Sequence, residues 1–170
     1  MAKSINPATG EELKNYPDLK ENEIEEILNQ SHSTFLGWKN TSFSERAGKM
    51  KKAHDILLKR KDEFAKIMTL EMGKPILQSI SEIEKCAWVC EYFAENAEEF
   101  LSNQEIKTDA SESYVTYQPL GVVLAIMPWN FPFWQVFRFA APNLMAGNAG
   151  VLKHASNVTG CALGIEEVFK

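Results

Sequence analysis

From Ser113 to Ile165 the chain contains no aspartate or glutamate, although acids crowd the residues before it. A section without acids is a poor solvated surface, so it reads as material that needs cover on both sides. Positive charge is not concentrated either: the net charge is -5, which disfavours a broad nucleic-acid-binding surface. Cysteine is scarce, and Cys86, Cys90 and Cys161 do not make the disulfide framework of a small secreted domain. No run approaches about 18 apolar residues, the length a membrane helix requires, so no membrane partner is expected. A basic n-region followed by an apolar h-region is missing at the start, and a cytoplasmic setting is the expectation. The glycine fingerprint G-x-G-x-x-G is missing too, since Gly147-Asn148-Ala149-Gly150 does not match it. Any dinucleotide site here departs from the usual glycine-cradled pyrophosphate.

What is present centres on Pro119 to Lys153. Val122 to Met127 is a short unbroken apolar run between Gly121 and Pro128, as expected of a strand buried on both faces in a parallel sheet. A turn at Pro128 to Pro132 feeds a helical pattern through Phe133, Val136, Phe137, Ala140, Ala141 and Leu144. Gly147 and Asn148 suit the left-handed conformation that ends a helix. Gly150 to Leu152 restarts as a strand that ends at Lys153. Strand, turn, helix, strand is a βαβ unit, so the fold class is α/β. Ligands of open α/β sheets collect beyond the carboxyl ends of strands, where Asn130 and Lys153 both fall.

Upstream, a short strand is expected around Leu13 to Tyr16. Helices follow over about Glu21 to Trp38, from an N-cap at Ser44 to about Arg60, and over Asp62 to Glu71, with Gly73 and Pro75 as breakers. The longest helix runs from about Ile76 to Leu101, with Ile76, Ile80, Ile83, Ala87, Cys90, Phe93, Ala94, Ala97 and Phe100 inward and Glu82 and Lys85 on its solvated face. Residues 106–118 alternate around a polar turn at Asp109 to Glu112, which predicts a protruding antiparallel hairpin. A last helix runs from about Asn157 toward Lys170. The parts are thus 1–105, mainly helical, the 106–118 hairpin, and the βαβ core over 119–170. Two parallel strands do not make a stable covered sheet, so the chain is expected to be the N-terminal portion of a larger protein, or to have its sheet completed from elsewhere.

Three side chains invite chemistry. Asn130 lies in Pro128-Trp129-Asn130-Phe131-Pro132, where its amide either donates to an oxygen gaining negative charge or bonds its own turn. Lys153 either meets a cofactor's ribose or phosphate or simply faces solvent. Arg138 has no nearby acid in sequence, and either meets a substrate anion, snorkels to water or pairs with a distant glutamate. The cysteines read as buried thiols, with His154 a speculative base for Cys161, and no metal site is expected.

Together, Pro119-Leu120-Gly121, the PWNFP turn, Ala141-Pro142, Gly147-Asn148, Val151-Leu152-Lys153 and Glu71-Met72-Gly73-Lys74-Pro75 resemble the N-terminal portion of the aldehyde dehydrogenase family, in order and spacing. That resemblance implies a cofactor-binding domain with an incomplete open parallel sheet, an oligomerisation hairpin serving a homodimer or homotetramer, and NAD or NADP as cofactor. It makes Asn130 the donor to the thiohemiacetal oxyanion. Ile126, Met127, Pro128, Trp129, Lys153 and Ser156 become cofactor contacts, and Phe131, Trp134 and Arg138 substrate contacts. Ser156 stands where NAD-preferring members often carry glutamate, which removes a repulsion against a 2′-phosphate. Arg138 is spaced as in succinate-semialdehyde dehydrogenases, where it holds the far carboxylate, while Lys153-His154-Ala155 departs from the commoner Lys-Pro. The resemblance places the nucleophilic cysteine and the general base beyond this chain, so residues 1–170 alone are expected to be inactive. A broad-specificity aldehyde dehydrogenase and a non-catalytic interaction module are the alternatives.

Overall fold

The computed structural model describes residues Met1–Lys170. It opens with a hairpin of β1 (Ala2–Ile5) and β2 (Glu12–Tyr16), followed by four helices: α1 (Glu21–Trp38), α2 (Phe43–Lys59), α3 (Lys61–Met72) and α4 (Ile76–Phe100). A second hairpin, β3 (Gln104–Glu105) with β4 (Tyr114–Val115), leads to β5 (Val122–Met127), α5 (Trp134–Met145), β6 (Ala149–His154) and α6 (Thr159–Phe169). No helix is long and apolar enough to cross a membrane.

Local chemistry explains most boundaries. Ser42, not Ser44, caps α2: its hydroxyl accepts from the Glu45 amide while Glu45 reaches back to the Ser42 amide, a reciprocal capping box. Gly73 closes α3 in the left-handed conformation at φ 74°. At the end of α5, Gly147 adopts φ 86°, as its residue type foretold. Asn148 does something else: its side-chain oxygen accepts from the Leu120 and Gly121 amides at 2.6 and 3.0 Å, tying the entry of β5 to the entry of β6.

One core joins the helical part to the βαβ part. Leu57, Phe64, Met68, Ile83, Phe133, Phe137, Val158 and Ile165 belong to a single buried cluster, with the Phe64 and Phe133 rings 5.4 Å apart. Residues 1–105 and 119–170 therefore stabilise each other. The periodicity misplaced several faces. Ile24, Ile27 and Leu28 of α1 are exposed, as are Ile76 and Phe100 of α4. The sheet β5–β6 is parallel, as expected, but it is covered on one face only: Leu124 and Ile126 are 60% and 70% exposed. An apolar strand reads the same in sequence whether its second face is covered by this chain or left open. The protruding hairpin is present but shorter, and its ladder starts at Gln104 rather than at 106.

The largest departure concerns Glu82, expected in solvent and found only 5% exposed. One carboxylate oxygen accepts from the Phe133 and Trp134 amides, each at 3.0 Å, and the other pairs with the buried Lys74 ammonium. Glu71 repeats the device, accepting from the Gly160 and Cys161 amides at 2.9 and 2.8 Å. A β-carbon on Gly160 would sit 2.7 Å from the Glu71 carboxylate, so this approach requires glycine. Each carboxylate thus satisfies the free amides and positive end of a helix it does not belong to. Glu82→Ala would strand a buried ammonium and two amides, and denaturant unfolding should show a loss of about 3–5 kcal/mol. Glu84→Ala, which removes only the exposed partner of Lys61, should leave the midpoint nearly unchanged.

Candidate active site

The two parallel strands end level with each other. Ile126 is registered against Lys153, and Met127 against His154. Registered partners point to the same face, so the exposed Ile126 and Lys153 side chains lie together on the open face. Met127 and His154 turn the other way, Met127 against the core and His154 buried. Of the expected cofactor contacts, Met127 is thus half-buried against the core rather than on the open face. Pro128 and Trp129 are exposed just beyond β5, and Ser156 is exposed at the start of a single turn of 3-10 helix, Ser156–Val158, just beyond β6.

The turn that carries Asn130 is braced from both sides. Proline fixes φ at Pro128 and Pro132. The Ala155 amide donates to His154 Nδ1 at 2.8 Å, so the ring proton lies on Nε2, which donates to the Pro132 carbonyl at 2.8 Å. Glu82 holds the next two amides, as described above. The Lys74 ammonium stands 3.8 Å from the centre of the Phe131 ring, a cation–π contact. Within this frame Asn130 is exposed, and its side chain makes no hydrogen bond to the rest of the chain. Asn6 does form the turn that asparagine favours, accepting from the Ala8 amide at 3.0 Å.

Phe131 and Trp134 line one groove of about 410 Å³, together with Leu77, Ser81, Lys74 and Lys85. Lys85 lies 4.0 Å over the Trp134 ring. Arg138 is not part of that groove's lining. It sits one turn further along α5, exposed, donating to Gln135 Oε1 at 2.8 Å and forming no ion pair. The geometry thus places a free amide donor just beyond a strand end, an open face that carries one ammonium, and a groove with Phe131 of the same turn in its wall.

No local sequence signal marks His154, Glu82, Lys74 or Lys85 for these roles. His154, the speculative base for Cys161, faces Pro132 instead. Burial and the neighbouring Glu71 push the Cys161 thiol well up, and burial alone takes Cys90 to about 12. Cys86 is raised for the same first reason. Such thiols are inert packing groups, as expected. No cluster of three or more potential ligands suited to a metal ion exists in the chain.

The model of the aldehyde dehydrogenase family matches residues 1–170. A protein of Synechocystis named as a probable succinate-semialdehyde dehydrogenase (NADP+) is 54% identical over 167 residues. A Mycobacterium tuberculosis protein named succinate-semialdehyde dehydrogenase (NADP+) 1 is 48% identical over 169 residues. Each alignment covers 98% of this chain. Among solved structures, succinic semialdehyde dehydrogenase from Streptococcus pyogenes in complex with NADP+ superposes with a TM-score of 0.96 at 34% identity, over 99% of this chain. The chain spans 37% of the length of each of the three.

Burial holds His154 below its ordinary pKa of 6.5, against a smaller opposing pull from the Pro132 carbonyl and Glu71, while Lys153 adds to the depression. The unfolded chain therefore takes up a proton on acidification before the folded one does. The stability due to a neutral His154 is complete above about 6.5 and is lost as pH falls through the folded value. Thermal melts between about pH 7 and 5 should show a Tm that drops with pH, and the drop should be shallower in H154Q.

Proposed function

The chain belongs to the aldehyde dehydrogenase family, and on that premise we propose that the full-length protein oxidises succinate semialdehyde to the dicarboxylate with NADP or NAD as acceptor. The observation that carries this reading is the Asn130 amide, braced on both sides, free of partners and set beyond β5 beside the open Ile126–Lys153 face.

The chemistry needs a donor held in place before reaction. When a nucleophile adds to the aldehyde carbon, the carbonyl oxygen gains negative charge, and a preorganised N–H stabilises it without the cost of reorganising solvent. Asn130 supplies that N–H. NADP or NAD, when bound, would supply the hydride acceptor for the same carbon. Lys153 and Ile126 line its approach, and Ser156 brings no carboxylate against a 2′-phosphate, in keeping with relatives named for NADP+. The three thiols of this chain are buried and unsuited to act as the nucleophile, which this reading assigns, with the general base, to the rest of the full-length protein.

Arg138 decides the substrate. Its guanidinium is exposed, has no ion-pair partner, and is oriented by Gln135 on the helix that leaves the Asn130 turn. A carboxylate at the far end of the substrate suits its planar donors. Assembly as a homodimer or homotetramer through the exposed 104–115 hairpin, by strand addition, and a cytoplasmic setting belong to the same reading.

Asn130→Ala should lower kcat by roughly 10²-fold or more in the full-length enzyme, with the substrate KM little changed. An unchanged kcat would return Asn130 to a turn-forming role. Arg138→Ala should reduce kcat/KM for succinate semialdehyde by about 10–100-fold while sparing butanal, in line with the loss of one charged hydrogen bond. Equal losses on both aldehydes would indicate a broad-specificity enzyme in which Arg138 is structural.

A further inference from the structure

The Asn130 turn and the Lys153 strand end belong to separate segments, and one side chain spans the distance between them. His154 is the last residue of β6, directly after Lys153. Its Nδ1 is committed to the Ala155 amide, which leaves Nε2–H as the only donor it can present. That donor meets Pro132, two residues after Asn130.

The Pro132 carbonyl depends on this contact. In a regular helix it would accept from the Val136 amide, but that amide goes to Phe133 at 3.1 Å. Pro132 is fully buried, so no solvent replaces a missing partner. The neighbouring amides of Phe133 and Trp134 are held by Glu82, on a different element. Residues 132–134 are therefore fixed from two sides, their donors by α4 and their acceptor by β6. Of these two holds, only the one from β6 also carries the lysine of the open face.

We propose that His154 is a positioning residue: its neutral ring sets how far the Asn130 turn stands from the Lys153 strand end, and so aligns the oxyanion donor with the cofactor side of the cleft. This rests on the function proposed above. Removing the ring leaves Lys153 and Asn130 in place chemically but lets their spacing relax. Displacements of about 1 Å at reacting groups cost up to about 10²-fold in rate.

The test uses the full-length enzyme, assayed with succinate semialdehyde and NADP+. H154L, which keeps bulk but offers no donor, should lose about 10-fold or more in kcat and raise the cofactor KM. H154Q, whose longer amide can still reach the Pro132 carbonyl, should recover most of both. If H154L keeps the parent kcat and cofactor KM and only its Tm falls, His154 is a core residue and the proposal is overturned. If H154L does not fold, H154N against H154Q decides, because the shorter amide cannot span the gap; equal kinetics for the two overturn the proposal. N130A separates the layers. A drop in kcat for N130A without one for H154L defeats the positioning role alone, whereas a silent N130A defeats the oxyanion reading on which it rests.

Discussion

The Glu82 carboxylate is where charge, helix and turn meet. It neutralises Lys74 inside the protein and accepts the first amides of α5. A buried ion pair is weak evidence of stability on its own, because desolvation offsets much of its attraction. Here the remaining lone pairs are taken up by Phe133 and Trp134, so the carboxylate is satisfied by charge and by hydrogen bonds at once. Lys74 in turn lies against the Phe131 ring. The residues just after Asn130 are thus held from α4 and from β6, in addition to the prolines on either side of the turn.

The same device recurs where Glu71 meets the start of α6. Both helices of the βαβ part begin without an acid of their own in the first turn, and both borrow one from the helical part. The acids at the starts of α5 and α6, absent from the section Ser113 to Ile165, arrive from α4 and α3. The two parts share an apolar core as well, and the βαβ helices depend on the helical part for the groups that satisfy their first amides.

Much of the fold was legible from local pattern. The bounds of α1, the β5 strand, the helix stop at Gly147 and the existence of a second hairpin all follow from signals a few residues long. The failures share a cause. The expected cap at Ser44 lies two residues past the real one, Ser42, which has its glutamate three residues on and so closes a capping box. Glu82 was placed in water because a charge on an amphipathic helix usually is, and Ile24, Ile27 and Leu28 were placed inside because apolar residues at helical spacing usually are. Burial of a charge depends on a partner, and the partner's position is not a property of the helix.

By itself the sequence determined the order of the helices, the βαβ unit, the resemblance to the family and the placing of Asn130 just beyond β5. Each of these depends on the chain's own dihedral preferences and on spacings within one element. Lys153, expected after its strand, is instead the penultimate residue of β6, and the strand Ala2–Ile5 had no local signal. Only the tertiary structure decided that Asn130 stays unpartnered, that His154 bonds Pro132, and that Glu71 and Glu82 cap distant helices. Glu71 lies 89 residues from Gly160. Contacts at such separations are selected by packing and by the need to satisfy buried polar groups, and neither leaves a periodic trace in the order of residues.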